Sequence, residues 1–314
     1  METILVTGGA GFIGSHVCDA LLEKGDRVIC IDNMDNYYPT EIKEKNIRDC
    51  LKNELFEFHK ADIRDNNLDK VFKEHNISSI IHLAAKAGVR PSIKEPALCE
   101  SVNVQGTINL LNLCKEFKVN KFIFGSSSSV YGVNKKIPFS EDDETDNIIS
   151  PYAATKKSGE TFCKLYHNLY DINVTCLRFF TVYGPRGRPD MAVYKFTKLI
   201  DEGTELPVYG NLSTKRDYTF ISDIVDGILS ALNKEFKFEI INLGNSETIE
   251  LKQLIAIIEK ALGKQAKIKN MPEQQGDVPI TFADISKAKK LLNYEPKVKI
   301  EEGIKRFIDW YKEK

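Results

Sequence analysis

Residues 3–32 carry the pattern that most restricts how this chain can fold. The apolar run Thr3–Thr7 is typical of a buried parallel strand, and the glycine-rich segment TGGAGFIG leads from it into a helical pattern that ends near Gly25. A second apolar run follows at residues 27–32. Because parallel strands need a crossover connection, strand, helix and strand form one βαβ unit. The segment therefore predicts the start of a sheet that is covered by helices.

The glycine turn and the acidic residue after the second strand have the spacing of a dinucleotide site. Gly8 and Gly11 allow a tight turn and a close approach to a pyrophosphate, whose charge then meets the N-terminal N–H groups of the helix. Gly14 allows the helix to pack near the sheet. A glycine-rich turn alone can be purely structural, but Asp32 follows near the expected separation of about 20 residues. Its carboxylate would bind an adenosine ribose and repel a phosphate there, so we expect NAD rather than NADP.

Short apolar runs continue to alternate with helical stretches along the chain. Further strands are predicted at Phe56–His59, Ser79–His82, 121–125 and 174–178, with a long helix at 98–117. This alternation predicts an α/β fold with a doubly wound parallel sheet. Ligands of such sheets bind at the carboxyl ends of the strands. The candidates there, each also compatible with an ordinary loop, are Asp62, Ala84, Ala85, Lys86 and the serine run at 126–129.

A helix with a chemically distinctive first turn opens at Ser150 and Pro151. Serine is a good N-cap and proline suits the first helical position. Tyr152 and Lys156 are then four residues apart on one face. A nearby ammonium favours the phenolate and lowers the tyrosine pKa from about 10, which would make the pair an acid/base catalyst. Such pairs are also common without function, and we add the hypothesis that a hydroxyl of the serine run lies beside Tyr152.

The second part of the chain predicts a smaller, mixed α/β region. Residues 179–190 are dense in Gly, Pro and Arg, which indicates a functional loop. Helices are predicted at 192–202, 222–232, Leu251–Leu262 and 300–311, and a strand at 239–242. We expect a dinucleotide-binding Rossmann domain at residues 1–180, to which 217–250 return, and a substrate-binding domain at 181–216 and 251–314.

Composition narrows the class of partner. The 314 residues, 42% of them hydrophobic, can bury a large core. A formal net charge of -1 with mixed signs provides no basic face for nucleic acid and no polybasic membrane segment, so a small molecule is the expected partner. The first residues enter a strand pattern at once and no stretch has the length of a membrane span, so we expect a cytoplasmic protein.

Cysteine and histidine usage points to neither disulfides nor a metal. The seven cysteines lack a CxxC pair and fit reduced thiols, and Cys18, Cys30, Cys114 and Cys176 lie in apolar runs that should be core. The five histidines are scattered without an HExxH pattern, so no metal site is expected. His82 should be a packed structural residue.

With these residues placed, nearly the whole chain resembles the extended short-chain dehydrogenase/reductase family, and within it the nucleotide-sugar 4-epimerases. The motifs occur in the family's order: TGGAGFIG, IDN at Asp32, HLAAKAGVRPS, SSSSVYG, YAATK, RFFTVYGPRGRPDM, KRDYTFISD and QQGDVP. TVYGPRGRPDM in particular is similar to UDP-glucuronate 4-epimerases. The resemblance implies a tightly kept NAD, oxidation of carbon 4 of a UDP-sugar, rotation of the keto sugar and return of hydride to its opposite face.

The resemblance also implies roles for individual residues. Tyr152 would be the base, Lys156 would lower its pKa and hold the nicotinamide ribose, and Ser127 would be the hydroxyl partner. The implied cofactor contacts are Gly8, Gly11, Phe12, Ile13, Gly14, Asp32, Asn33, Asn36, Asp62, Ile63, Leu83, Ala84, Ala85, Lys86, Asn103, Tyr152 and Lys156. The implied substrate contacts are Arg90, Ser127, Ser128, Ser129, Tyr152, Thr181, Arg188, Arg216, Gln275 and Asp277. In the family the helices at 98–117 and 152–170 pair across a homodimer.

Two departures bear on the substrate: serines stand at 128 and 129, and Thr181 stands where the UDP-galactose epimerases that the chain resembles commonly have Asn. Related decarboxylases and dehydratases carry an acidic residue where this chain has Ser129, and the dehydratases a further one at Ser128, so simple epimerisation is favoured. A uronate carboxylate needs a partner when it is buried, and Arg188 with Thr181 is the candidate. A 4-keto uronate is a β-keto acid, and a clamp that holds its carboxylate protects it from losing carbon dioxide. Arg188 as a surface loop residue or a diphosphate ligand remains the alternative.

Other functions stay open at this point. The nearest rivals are a UDP-glucose or UDP-N-acetylglucosamine 4-epimerase and then a UDP-glucuronate decarboxylase. From a different class, the chain would be an inactive NAD-binding regulatory module. Retention of Tyr152, Lys156 and Ser127 together speaks against that reading, since such a module need not keep all three.

Overall fold

Seven parallel strands form the main sheet of the protein. The computed structural model describes residues 1–210, 212–272 and 278–313. Its strands are β1 (Thr3–Thr7), β2 (Arg27–Ile31), β3 (Phe56–His59), β4 (Ser79–His82), β5 (Lys121–Ser127), β6 (Asn173–Phe179), β7 (Thr181–Tyr183), β8 (Glu205–Tyr209), β9 (Lys215–Phe220), β10 (Phe238–Leu243), β11 (Thr248–Glu250) and β12 (Lys267–Met271). The main sheet has the order β10-β6-β5-β4-β1-β2-β3 with every pair parallel, which confirms the predicted doubly wound α/β fold.

Helices cover both faces of this sheet. They are α1 (Phe12–Glu23), α2 (Thr40–Ile47), α3 (Asp69–Glu74), α4 (Val89–Lys94), α5 (Pro96–Glu100), α6 (Gly106–Phe117), α7 (Pro151–Tyr170), α8 (Ala192–Asp201), α9 (Ile221–Leu232), α10 (Leu251–Leu262), α11 (Ser286–Leu292) and α12 (Ile300–Lys312). On β1, Ile4 and Val6 belong to the core under α1 and α9, whereas Leu5 belongs to the core under α6 and α7. All three are completely buried. A strand that is covered on both faces has no polar side, which explains its unbroken apolar run.

The strand order places a crevice at one edge of the sheet. From β1 the chain runs to β2 and β3 in one direction, and β4, β5, β6 and β10 follow in the other. The direction therefore reverses between β1 and β4. The loops that leave their carboxyl ends diverge there, and this is where ligands of open α/β sheets bind.

Two small sheets lie beyond the main one. Strands β7, β9 and β11 form a three-stranded sheet, and β8 pairs in parallel with β12. β10 adds to the edge of the main sheet, while β9 and β11 belong to the small sheet. The domain boundaries that we infer from the sequence stay a prediction.

The helix expected at residues 98–117 is interrupted. α5 ends at Glu100, Ser101–Gln105 form a π-helical turn, and α6 begins at Gly106. The turn carries Asn103, whose side chain bonds outside its own helix. Such turns are frequent at functional sites, and an apolar pattern alone does not reveal them.

The expectations for the thiols are met. All seven cysteines are free and buried.

In the part of the chain that the structure describes, no helix combines the length and apolar character that crossing a membrane requires.

Candidate active site

A cavity of about 490 Å³ opens at the carboxyl ends of the parallel strands. Its wall includes the glycine turn after β1, the residues that follow β2, β3 and β4, the end of β5 and the first turn of α7. On the other side it reaches Thr181, Arg188 and Arg216. One cavity thus joins most residues expected to hold a cofactor with several expected to hold a substrate.

The glycine turn leaves room for a ligand and none for side chains. Gly8 has φ +72°, and a Cβ there would lie 2.7 Å from the backbone nitrogen of Ala84. A Cβ on Gly14 would lie 2.1 Å from the carbonyl oxygen of Gly8. Helix α1 has no side-chain cap at Gly11, so its first N–H groups are available to an anion. This cradle fits the pyrophosphate of a dinucleotide.

Asp32 lies at the end of β2 and is itself firmly held. Its Oδ2 accepts the N–H of Ala10 at 3.2 Å, and its Oδ1 accepts that of Met34 at 2.8 Å. The ammonium of Lys43, which is 7% exposed, lies 3.3 Å from Oδ1. Lys43 lines the cavity but does not feature among the predicted contacts. The carboxylate expected to select NAD therefore has a cation beside it.

Asp62 forms the next part of the cavity wall. Nε of Arg64 donates to its Oδ1 at 2.8 Å, Nη2 of Arg64 donates to its Oδ2 at 2.9 Å, and Nδ2 of Asn33 donates to Oδ2 at 2.8 Å. The hydrogen bonds from Arg64 lower the pKa of Asp62 to about 2. Asp62 is consequently a fixed carboxylate at neutral pH.

The first turn of α7 places Tyr152 in the cavity. Ser150 caps the helix as predicted, with its Oγ accepting the N–H of Ala153 at 3.1 Å, and Pro151 is the first helical residue. The Tyr152 phenol and the side chain of Ser127 line the same cavity and interact with each other. The ammonium of Lys156 lies 6.0 Å from the centroid of the Tyr152 ring and donates to the carbonyl oxygen of Gly125 at 2.6 Å. The structure thus brings together the three residues expected to carry catalysis.

The electrostatics of Tyr152 differ from the expectation. Burial raises its pKa, and this outweighs the hydrogen bond of Ser127 and the positive charge of Arg188, both of which lower it. The ammonium of Lys156 donates its hydrogen bond to the carbonyl oxygen of Gly125. Burial also lowers the pKa of Lys156 to about 8. Without a ligand, the phenol is therefore the protonated form at neutral pH.

The serine run forms the floor beside Tyr152. Ser127 ends β5, and its Oγ accepts the N–H of Ser129 at 3.2 Å. Ser128 and Ser129 also line the cavity. The Oγ of Ser129 is buried without a hydrogen-bond partner among the described residues. No carboxylate occupies this place, in keeping with the departure seen in the sequence.

Arg188 and Thr181 face the same cavity from the second part of the chain. Thr181 is the first residue of β7, and Arg188 follows in the loop before α8. Arg188 carries a bidentate ion pair with Asp190, whose Oδ2 lies 2.7 Å from its Nη2. Arg216 lines the cavity as well and donates to the carbonyl oxygen of Lys215 at 2.9 Å.

Some predicted contacts lie elsewhere. Asn103 is 2% exposed and away from the cavity wall, and it holds the backbone of Lys86 and the hydroxyl of Thr155. The guanidinium of Arg90 lies over the ring of Tyr209 at 5.1 Å, and neither Arg90 nor Asn36 lines the cavity. Their expected contacts stay predictions. Gln275 and Asp277 lie outside the described residues.

The structure adds cavity residues that the sequence analysis misses: Asp35, Tyr37, Tyr38, Lys43 and Arg64. Tyr37 and Tyr38 follow Asp32 in the loop before α2. An aromatic pair so soon after the end of a strand was the available signal, because exposed loops rarely use two large aromatic residues without a packing or binding role.

The histidines have structural partners. His82 is fully enclosed between the hydroxyls of Thr7 and Thr107, and burial lowers its pKa to about 3, as expected of a packed neutral residue. A second group contains Glu57 and His59 of β3 and His75, which follows α3. Arg27 is also paired to Glu57. This cluster lies away from the cavity wall, and we assign no metal to it.

A parallel sheet with a glycine cradle at its switch point and a Tyr, Lys and Ser group in the same cavity defines a dinucleotide-dependent enzyme of the short-chain dehydrogenase/reductase class. The sequence profile of the GDP-mannose 4,6 dehydratase family matches residues 5–307. The chain therefore belongs to this family, among the extended short-chain dehydrogenase/reductase nucleotide-sugar epimerases.

Individual relatives agree with this assignment. The UDP-glucuronate 4-epimerase of Thermodesulfobacterium geofontis is 44% identical over 315 residues, which cover 100% of this chain and 97% of the relative. The crystal structure of UDP-glucuronic acid 4-epimerase from Bacillus cereus with UDP-glucuronic acid and NAD has a TM-score of 0.95 and 40% identity, covering 99% of both chains. The UDP-glucose 4-epimerase of Thermotoga maritima with UDP-glucose has a TM-score of 0.92 and 34% identity, again over 99% of both.

Proposed function

We propose that the protein is a NAD-dependent UDP-sugar 4-epimerase that converts UDP-glucuronate to UDP-galacturonate through a 4-keto intermediate. The observation that carries this is that Tyr152, Ser127 and Arg188 line one cavity. The first two can exchange a proton with a sugar hydroxyl, and the third can bind a carboxylate. The relative from Thermodesulfobacterium geofontis and the structure from Bacillus cereus carry this substrate in their names.

Side chains of the protein accept and return the proton of the sugar hydroxyl during the reaction. Bound NAD supplies the acceptor and then the donor of the hydride at carbon 4. In the presence of oxidised nicotinamide, whose positive charge together with that of Arg188 favours the phenolate, Tyr152 would take the proton of the 4-hydroxyl at its Oη and later return it, and Ser127 would orient that hydroxyl. General acid/base catalysis of this kind contributes about 10²- to 10⁴-fold. The Lys156 ammonium, which is 5% exposed, adds positive charge below the site.

Arg188 favours a uronate over a neutral sugar. Its positive charge already acts on Tyr152, where it lowers the pKa of the phenol against the effect of burial. A carboxylate bound by Arg188 would therefore lie close to the reacting centre. Ser129 offers no acid for further steps on the sugar ring, which favours epimerisation over decarboxylation or dehydration.

We extend the proposal to domains, location and assembly. Residues 1–180 with 217–250 would bind NAD, and 181–216 with 251–314 the UDP-sugar. Seven free thiols suit a reducing, cytoplasmic compartment. Helices α6 and α7 would pair across a homodimer, since α7 exposes Leu165, Leu169 and Tyr170 at 43%, 60% and 41%.

A panel assay tests the function. Purified protein with NAD is incubated with UDP-glucuronate, UDP-glucose and UDP-N-acetylglucosamine in turn, and the products are followed by NMR. We expect UDP-galacturonate from UDP-glucuronate at the highest rate. Release of carbon dioxide with a UDP-pentose would identify a decarboxylase, and preference for a neutral sugar would favour the 4-epimerase alternative represented by the Thermotoga maritima structure.

A further inference from the structure

The guanidinium of Arg188 is held from one side by a carboxylate of its own chain. Nε donates to Oδ1 of Asp190 at 3.0 Å, and Nη2 donates to Oδ2 at 2.7 Å. Nη2 also lies 3.9 Å from the sulfur of Met191. Burial alone would raise the pKa of Asp190, but the hydrogen bonds and charge of Arg188 lower it below its ordinary value. Arg188 and Asp190 thus form a fixed ion pair.

Tyr37 contacts this ion pair from the opposite wall of the cavity. Its hydroxyl donates to Oδ2 of Asp190 at 3.0 Å, although the two residues are 153 positions apart. The Cζ of Arg188 lies 5.4 Å from the centroid of the Tyr37 ring, which is cation–π range. Asp190 and the ring together restrict both the rotation and the tilt of the guanidinium.

Tyr37 is itself held on the cofactor side. Its N–H donates to Oδ1 of Asp35 at 2.9 Å. The ammonium of Lys86, which follows β4, donates to both oxygens of Asp35 at 3.0 Å and lies 5.8 Å from the Tyr37 ring. The loop after β2 therefore connects the expected ribose ligand Asp32 with the arginine of the substrate side.

The geometry leaves a defined part of Arg188 for a ligand. A guanidinium has five N–H groups in one plane, and Asp190 takes one on Nε and one on Nη2. Nη2 also donates to the sulfur of Met191, whereas Nη1 takes part in none of the hydrogen bonds of Arg188 within the described residues. The two N–H groups of Nη1 can therefore bind a second carboxylate. Asp190 offsets the charge of Arg188, so its contribution is to orientation and not to affinity.

We propose that Asp190 and Tyr37 are positioning residues that orient Arg188, and through it the substrate carboxylate, so that the 4-keto intermediate does not decarboxylate. This rests on the proposed function. Decarboxylation breaks the C5–C6 bond, its electron pair forms an enolate between C5 and the C4 carbonyl, carbon dioxide leaves, and a proton then adds to C5. The electron pair can enter the C4 carbonyl only when the C5–C6 bond is perpendicular to the plane of that carbonyl. A carboxylate that is held in a fixed position keeps the sugar ring away from that geometry.

Asp190→Asn and Tyr37→Phe test the proposal with UDP-glucuronate labelled at carbon 6. The readouts are the ratio of labelled carbon dioxide to UDP-galacturonate, KM and kcat. We expect Asp190→Asn to raise this ratio about tenfold, because one charged hydrogen-bonded partner contributes roughly 1.4 kcal/mol. KM should not rise, since Arg188 gains net charge. Tyr37→Phe should change the ratio in the same direction by less.

Asp19→Asn is the matched control. Asp19 pairs with Arg186 at 2.6 Å, two residues before Arg188, and neither lines the cavity. An equal rise in the ratio for Asp19→Asn would indicate general loosening and overturn the proposal. So would an unchanged ratio in both test variants, or a rise in KM without a change in ratio. Absence of wild-type turnover of UDP-glucuronate would instead overturn the proposed function, and this inference with it.

Discussion

Lys156 donates a hydrogen bond of 2.6 Å to the carbonyl oxygen of Gly125, at the point where β5 reaches the cavity. The side chain is 5% exposed and its ammonium lies 5.0 Å from the centroid of the Phe124 ring. One carbonyl and one aromatic ring stabilise a charged ammonium less well than water does. Burial therefore lowers the pKa of Lys156 to about 8, close to the pH at which an acid/base site works.

This pKa predicts a pH-dependent stability. The native state releases the Lys156 proton near pH 8, whereas the unfolded chain holds it to about 10.4. The unfolded state thus binds more protons in this window. The free energy of unfolding, compared with that of a Lys156→Met variant, should therefore rise with pH by up to about 2 kcal/mol at pH 9.5. Urea unfolding of the cofactor-free proteins at pH 7 to 9.5 measures it. Parallel curves for both proteins would contradict the lowered pKa.

Tyr152→Phe should remove the proton acceptor and little else. We expect kcat to fall by about 10³-fold while bound NAD, measured after denaturation, stays at the wild-type level. Tyr131→Phe is the control, because Tyr131 is a buried tyrosine that donates to Oδ1 of Asn242 at 2.7 Å and lies off the cavity wall. If both variants keep wild-type activity, Tyr152 has no part in proton transfer.

Cofactor choice should depend on Asp32 and Lys43 together. Asp32→Ser removes the charge that repels a 2′-phosphate and leaves the Lys43 ammonium, now 3.3 Å from a vacated carboxylate position, to attract one. We expect NADP affinity of cofactor-stripped protein to rise about tenfold or more in a fluorescence titration. Asp32→Ser/Lys43→Gln should lose most of that gain. A gain that survives the second substitution would show that Lys43 plays no part.

The buried ion pair behind the site should be fragile to single substitution. Nε and Nη2 of Arg178, which is 1% exposed, donate to the two oxygens of Glu160 at 2.8 and 2.9 Å, and Ser126 donates to Glu160 at 2.6 Å. Glu160→Gln leaves an uncompensated buried guanidinium, so we expect a loss of about 3–5 kcal/mol in urea unfolding.

A double variant provides the comparison for this pair. Glu160→Leu/Arg178→Met removes both charges and should recover much of the lost free energy of unfolding, since replacing a buried pair with apolar residues is often close to neutral. A Glu160→Gln protein with wild-type stability would mean that the pair contributes little to the fold.

Much of the fold follows from local sequence. The strands that end at Thr7 and His82 have the expected bounds because mostly apolar, buried runs are what a two-sided core demands, and the edge strand that ends at His59 also has the expected bounds. The start of α7 is equally local, since a serine cap and a proline act within one turn. The π-helical turn at Ser101–Gln105 is different, because the partners of Asn103 come from the loop after β4 and from α7.

The sequence by itself determined the glycine cradle, the acidic residue after β2, and the spacing of Tyr152 and Lys156. All of these depend on residues close together in the chain. Only the tertiary structure decided that burial raises the pKa of Tyr152, that Lys156 turns to a carbonyl, and that Tyr37 reaches Asp190 across the cavity. Desolvation and hydrogen bonding between distant segments depend on which surfaces meet when the chain folds, and spacing along the chain carries no information about that.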